Sequence, residues 1–262
     1  MSTIDRTSFD AWAAEATPKL RGVIRRFVGH PDETEDLVQG TLLRAWESRA
    51  SFRADSEFST WLCAIGSRLA IDHLRRQKRW RVRAQVAYGN ECGRDPELGG
   101  EVQRALAAPD EVFDVREHIS YCFSCVGRSL NPDEYGAVVL REIAGLSNRE
   151  AAKTVGVTES VLRHRLAAGR RVLADAFDDL CSLVNKNGVC YQCQGLREGA
   201  ANRGPDVPEA ALTLDRRLEV VAANPDDGRC QKIHDLFWRR TAELERDGRG
   251  STEENDCGRD GA

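Results

Sequence analysis

Apolar residues in this chain recur at the spacing of a helix and almost nowhere at the alternation of a strand. Within residues 31–47, Leu37, Val38, Leu42, Leu43 and Trp46 fall close to an i, i+4, i+5 stripe. Residues 6–29 carry Phe9, Trp12, Leu20, Ile24 and Phe27 in a second amphipathic pattern. A long helix is expected from Glu57 to Arg83, with Trp61, Leu62, Ile65, Leu69 and Ile71 on its buried side. Further on, Val112, Val115, Ile119, Phe123 and Val126 mark another. No internal repeat is visible. The pattern predicts an all-α fold.

Local signals set the boundaries. "GHPDE" breaks the first helix, and Pro31 suits the first position of the next. Asp32, Glu33 and Glu35 then sit at the positive end of that helix dipole. "SRASFRADSEF" reads as a loop, with Ser56 as the N-cap of the long helix. "YGNECGRDPELGG" holds four glycines and a proline, so residues 84–108 read as a flexible linker between two helical domains. Beyond it, "SNREAAKTVG" is a short helix closed by Gly156, followed by "VTESVLRHRLAAGRRVLADAF" with Thr158 as N-cap. Two helices joined by a tight glycine-bearing turn, the second basic, form a helix-turn-helix pattern.

The formal charge is −4, yet the cations are clustered. Arg68 to Arg83 holds seven cations against Asp72, and residues 148–171 hold six against Glu150 and Glu159. Two basic blocks on an acidic chain fit one polyanion touched at two places. Either block alone is equally well a solvated helix face.

At "EDLVQGTLLRAW", "FSTWLCAIGSRLAIDHLRR" and "SNREAAKTVGVTESVLRHRLAAGRR" the chain resembles the sigma-70 family, in its extracytoplasmic-function class. The resemblance covers roughly residues 5–180, with the motifs in order. It implies sigma domain 2 at residues 5–83, the linker at 84–108 and sigma domain 4 at 109–180. A cysteine-rich C-terminal extension (181–247) and a disordered tail (248–262) would follow. It also implies partners: bacterial RNA polymerase core enzyme and promoter DNA, with an anti-sigma factor as a further candidate. Asp36, Leu37, Gln39, Leu42 and Trp46 match the family's polymerase-gripping helix. Phe58, Thr60 and Trp61 open the helix that frames −10 recognition, where flipped bases need a pocket. Arg75, Arg76, Lys78 and Arg79 would contact phosphates. Arg163, His164 and Arg165 lie where a recognition helix reaches base edges, and Arg170 and Arg171 lie nearer phosphates. The chain departs from the family pattern at Gly40, at Ser67 and Arg68, and at Ala168. Helical glycine costs about 1 kcal/mol.

Nine cysteines raise a separate question. "HISYCFSC" places His118, Cys122 and Cys125 at i, i+4 and i+7, on one helix face. "CSLVNKNGVCYQC" adds Cys181, Cys190 and Cys193. The two C-x2-C pairs, Cys122/Cys125 and Cys190/Cys193, are a possible tetrahedral zinc site, with His118 and Cys181 as alternates. Copper(I) is also thiophilic. Redox-active thiols and plain core packing are the other two readings. Cys230 and His234 form a weaker C-x3-H pair.

No stretch of 18 apolar residues occurs and the first residues do not read as a secretion signal, so a cytoplasmic protein is expected, off the membrane. No phosphate-binding glycine loop or triad spacing suggests an enzyme. One rival reading is a helix-turn-helix regulator that is not a polymerase subunit; the "EDLVQ…TWL" half is superfluous to such a protein. A thiol–disulfide enzyme is the other, but Cys122 falls mid-helix rather than at a helix start after a strand.

Overall fold

A computed structural model describes residues 5–54, 56–81, 83–108, 115–180, 190, 213–223 and 231–248. The described residues form eleven α-helices and no strand, as the periodicity predicts. None of these helices is long and apolar enough to cross a membrane.

The front of the chain is a three-helix bundle of α1 (Arg6–Val28), α2 (Pro31–Glu47) and α3 (Phe58–Arg76). Pro31 starts α2, behind His30, whose ring accepts a hydrogen bond from the Asp32 amide. Leu20, Ile24, Val38, Ala45, Leu62 and Ala70 fill the bundle. At Gly66 a Cβ would stand 2.6 Å from Leu20 Cδ1, so this glycine sets the close approach of α3 to α1. An aromatic cluster closes the open end: Phe58 lies 5.6 Å from Phe9 and 5.5 Å from Trp61, and Trp46 lies 5.2 Å from Phe9.

Helix α3 stops at Arg76, short of the expected Arg83, and Ser56 is not its cap; Glu57 holds that place without a side-chain bond. The early stop has a tertiary cause. Gln77 turns extended, which lets the Trp80 amide donate to the Arg128 carbonyl at 3.0 Å and buries the indole.

Residues 84–106 also differ from expectation. They fold as α4 (Ala84–Arg94) and α5 (Pro96–Leu106) rather than an irregular linker. Asp95 caps α5 by accepting from the Glu97 and Leu98 amides, with Pro96 at its first position. Tyr88, Cys92, Val102 and Leu106 are buried, and that burial outweighs the roughly 1 kcal/mol cost of each helical glycine.

The rear half is α6 (Val115–Gly127), α7 (Pro132–Val138) running into a π-helical turn (Val139–Ile143), α8 (Asn148–Val155) and α9 (Glu159–Leu180). It does not hang free of the front bundle. Ile71 packs on Gly136, Phe27 meets Tyr135 with ring centroids 6.1 Å apart, and the Tyr135 hydroxyl donates to the Arg26 carbonyl. Front and rear share one continuous core.

Two more helices follow: α10 (Leu214–Ala223), which packs on α6, the π turn and α9, and α11 (Gln231–Asp247), which packs on α4, α5 and α6. Ile233, Phe237 and Leu244 are buried on the expected face of α11, joined by Trp238 and His234.

Candidate nucleic-acid interface

The α8–turn–α9 unit is built by local rules. Ser147 and Glu150 form a reciprocal capping box: the Glu150 amide donates to Ser147 Oγ at 3.2 Å, and the Ser147 amide donates to Glu150 Oε2 at 2.8 Å. Gly156 ends α8 in the left-handed region, at φ +74° and ψ +34°. The Val161 amide donates to Thr158 Oγ1 at 3.3 Å, which begins α9. Leu162 and Leu173 anchor α9 in the core, and Gly169 lets it approach the Glu134 carbonyl.

This anchoring turns Arg163 and His164 to solvent at the start of α9. Arg163 lies 3.9 Å from Glu159. Val161 is 42% exposed beside them, a residue that charge-based reading passes over. An apolar side chain at that position suits a thymine methyl. Arg171 is exposed as well. Arg165 and Arg170 differ: Arg165 lies 3.5 Å from Asp133, and Arg170 is paired with Glu142 at 2.8 Å and with Asp215.

On the front bundle, Arg75, Arg76, Lys78 and Arg79 are all exposed near the end of α3. Arg75 pairs with Asp72 at 2.7 Å and with Asp133, the carboxylate that also faces Arg165. Thr60 and Trp61 line a cleft of about 430 Å³ with Ser51, Arg53, Ser56 and Arg68. Its far wall is Leu146, Glu150, Lys153 and Thr154 of the rear half. Arg68 crosses between the walls, donating to the Thr154 carbonyl and to the Lys153 carbonyl at 3.1 Å. Phe58 belongs to the aromatic cluster beneath the cleft rather than to its lining.

The face of α2 divides in two. Asp36 and Gln39 are exposed, and Leu43, seven residues after Asp36, is 67% exposed. Leu37, Leu42 and Trp46 are half-buried against the core. The Arg6 and Arg49 guanidinium groups both lie over the Trp46 ring, at 4.7 and 4.0 Å from its centroid. The helical period alone places Asp36, Gln39 and Leu43 on one outer face, and Leu43 is the member the family motif did not point to.

The thiols separate by environment. Burial pushes the Cys63 thiol up to about 11 and raises that of Cys92, so both stay protonated. Cys125 and Cys190 are buried and Cys122 is half-buried. The Cys190 amide donates to the Leu180 carbonyl at 2.9 Å, at the end of α9. Cys122 Sγ lies 3.3 Å from His118 Nε2, while His118 Nδ1 lies 3.1 Å from His234 Nε2. Opposite ring nitrogens of His118 thus face different partners. Among the described residues, no three His, Cys, Asp or Glu side chains are grouped to hold a metal. Cys181 and Cys193 lie outside the described residues.

Residues 12–80 match the Sigma-70 region 2 family. The chain is 28% identical to the RNA polymerase sigma-H factor of Pseudomonas aeruginosa, over 67% of this chain and 89% of that one. It is 29% identical to the RNA polymerase sigma factor CnrH of Cupriavidus metallidurans, over 58% of this chain and 78% of that one. The ECF RNA polymerase sigma factor SigE of Mycolicibacterium smegmatis is 29% identical over 64% of this chain and 61% of its own length. A solved sigma factor RpoE, in complex with the anti-sigma factor NepR from Bartonella quintana, matches with TM-score 0.43 and 22% identity, over 64% of this chain and 96% of that one.

Proposed function

We infer that this chain, which belongs to the sigma-70 family in its extracytoplasmic-function class, binds bacterial RNA polymerase core enzyme and directs promoter-specific transcription initiation. The observation that carries the reading is the coexistence of three surfaces in one chain. These are the outer face of α2, the basic cleft beside Trp61, and a capped helix-turn-helix with Arg163 and His164 exposed. A plain helix-turn-helix regulator has no use for the first two.

Each surface has a part. Asp36, Gln39 and Leu43 offer an acidic and apolar patch for the polymerase. The cleft between Thr60, Trp61 and Arg53 takes an unstacked base of the −10 element, with Arg75, Arg76, Lys78 and Arg79 on the neighbouring phosphates. Arg163 and His164 reach base edges in the −35 major groove, and Arg171 meets its phosphates. The chain supplies recognition and leaves nucleotide addition to the polymerase, so it is not itself an enzyme and works in the cytoplasm. An anti-sigma factor is a further partner of the class.

For the thiols the proposal is a structural zinc on Cys122, Cys125, Cys190 and Cys193. Thiolates at C-x2-C spacing fit that ion, and Cys190 is buried in the same core on which Cys122 packs. The engagement of His118 with His234 argues against His118 as a ligand.

Run-off transcription with bacterial core enzyme on a library of promoter fragments tests the function. The reading expects specific transcripts that depend on the chain and are lost in Arg163→Ala. Transcription equal to that of core enzyme alone, from every fragment, refutes it.

A further inference from the structure

Two of the cations that the proposed function assigns to DNA, Arg75 and Lys78, have partners on distant helices, and so have Arg165 and Arg170 of the recognition helix. Arg75 of α3 and Arg165 of α9 share Asp133. Arg170 of α9 pairs with Asp215 of α10. Arg68 is spent on the carbonyls that end α8, and this contact draws the rear wall over the base-capturing cleft. In this arrangement the cleft beside Trp61 is walled by the rear half, and the basic ends of α3 and α9 meet at one carboxylate. A duplex held by both needs them apart.

The C-terminal helices close this arrangement from the outside. Helix α11 touches the front bundle, the α4–α5 pair and the rear half. Its Trp238 ring covers Gly29 at the end of α1 so tightly that a Cβ there would lie 2.6 and 2.8 Å from two ring carbons, and closer still to a third. The same indole packs at a 45° tilt against Trp80, centroids 4.7 Å apart, with the Arg128 guanidinium near both rings. Glu245 accepts from Arg81 Nε at 2.8 Å, and its carbonyl accepts from Lys78 at 3.4 Å. On the rear half, His234 stacks on Tyr121 at 4.5 Å. Helix α10 adds the Val221 carbonyl, which accepts from Arg26 of α1 at 3.3 Å while α10 itself lies on α6 and α9.

The hold on α10 is not tight. Arg217 is only 2% exposed, yet among the described residues its nearest carboxylate, Asp178, stands 3.7 Å away and its guanidinium nitrogens make no hydrogen bond. The face of Phe177, 4.9 Å distant, is its other company. A buried cation so thinly compensated opposes docking of the helix that carries it.

We propose that α10 and α11 are a built-in clasp that holds the two DNA-binding halves closed, and that release of α11 opens them. The inference rests on the sigma-factor reading only for the identity of the nucleic acid, because the closure itself is geometry. It also assigns the extension a function: it acts on its own chain as an inhibitory partner would act from outside.

The test uses the full chain, with Trp238→Ala, Glu245→Arg, and the exchanged pair Glu245→Arg with Arg81→Glu. Two readouts are taken. One is the radius of gyration in solution, and the other is binding to a 30-base-pair duplex of arbitrary sequence at fixed salt. Loss of a buried indole moves a closed–open equilibrium by about 10–100-fold. Trp238→Ala and Glu245→Arg are expected to enlarge the radius and to tighten duplex binding by about tenfold or more, up to the limit set by full opening. The exchanged pair is expected to return both readouts toward the parent. If both single variants keep the parent radius, or expand without gaining duplex affinity, the clasp is overturned. If they expand and gain affinity but no form of the chain associates with bacterial core enzyme, the clasp stands and the sigma-factor reading falls.

Discussion

Replacing Gly29 by alanine probes the docking of α11 at a single atom. Two costs meet at this position. Gly29 sits at φ +74° and ψ −37°, a conformation that a Cβ disfavours. The new methyl would also overlap the Trp238 ring, whose indole is buried and braced by Trp80, so the ring must move or the turn must open. Gly156 provides the internal control. It has the same φ of +74°, but a Cβ there meets nothing within 4 Å. Gly156→Ala therefore carries backbone strain alone, about 1–2 kcal/mol. Gly29→Ala carries at least that strain, since its ψ of −37° lies outside the left-handed helical region, plus overpacking of about 1–3 kcal/mol. Urea unfolding followed by tryptophan fluorescence reads both, because Trp80 and Trp238 change environment when α11 leaves. The expected result is a larger loss for Gly29→Ala, with an early transition in the tryptophan signal ahead of the loss of helix. A Gly29→Ala loss equal to or smaller than that of Gly156→Ala would refute the packing of Trp238 on the end of α1.

Three further outcomes follow from named residues. Leu43→Ala, at a side chain 67% exposed, should leave stability within about 0.5 kcal/mol while weakening core-enzyme binding by about 1–2 kcal/mol, read by fluorescence titration. Arg163→Ala should cost about 1–3 kcal/mol on a selected −35 sequence and far less on arbitrary duplex, which a gel-shift comparison separates. Glu33 is pH-sensitive: burial raises its carboxyl, but the His73 ring 3.4 Å away, the Arg128 charge and the hydrogen bond from Gln77 at 3.0 Å more than offset this and hold it below its ordinary value of 4.5. Its stabilisation is therefore complete above that ordinary value and is lost as the pH falls below it through the lowered folded value. Glu33→Gln should accordingly cost about 1–3 kcal/mol at pH 7, and the difference from the parent should shrink in acid denaturation below about pH 4.

What the sequence disclosed was what local chemistry encodes. The start of α2 at Pro31, the Gly156 cap of α8, the Thr158 start of α9 and the buried face of α11 were all readable, because each depends on neighbours a few residues apart. The misread parts depend on distant partners. Residues 84–106 look like a linker by their glycines, yet they are helical because α11, more than a hundred residues later, covers Tyr88 and Val102. Trp80 ends α3 early for the same reason. Trp46 matches a polymerase-binding motif but is held by Phe9, Arg6 and Arg49, while Leu43, with no motif to recommend it, is the exposed side chain. The cations of α3 and α9 were legible as two basic blocks; that they share Asp133 was not, since no local pattern pairs Arg75 with Arg165.

The central claim is that the outer face of α2 docks this chain on RNA polymerase. Its most direct measurement is equilibrium binding of the labelled full chain to bacterial core enzyme, beside Asp36→Arg and Leu43→Asp, with helix content checked by circular dichroism. The account predicts a saturable one-to-one complex for the parent and at least a tenfold weaker one for each variant, with helix content unchanged, as expected when central residues of an interface are reversed or made polar. A fully helical parent that gives no complex, or variants that bind as tightly as the parent, would contradict it.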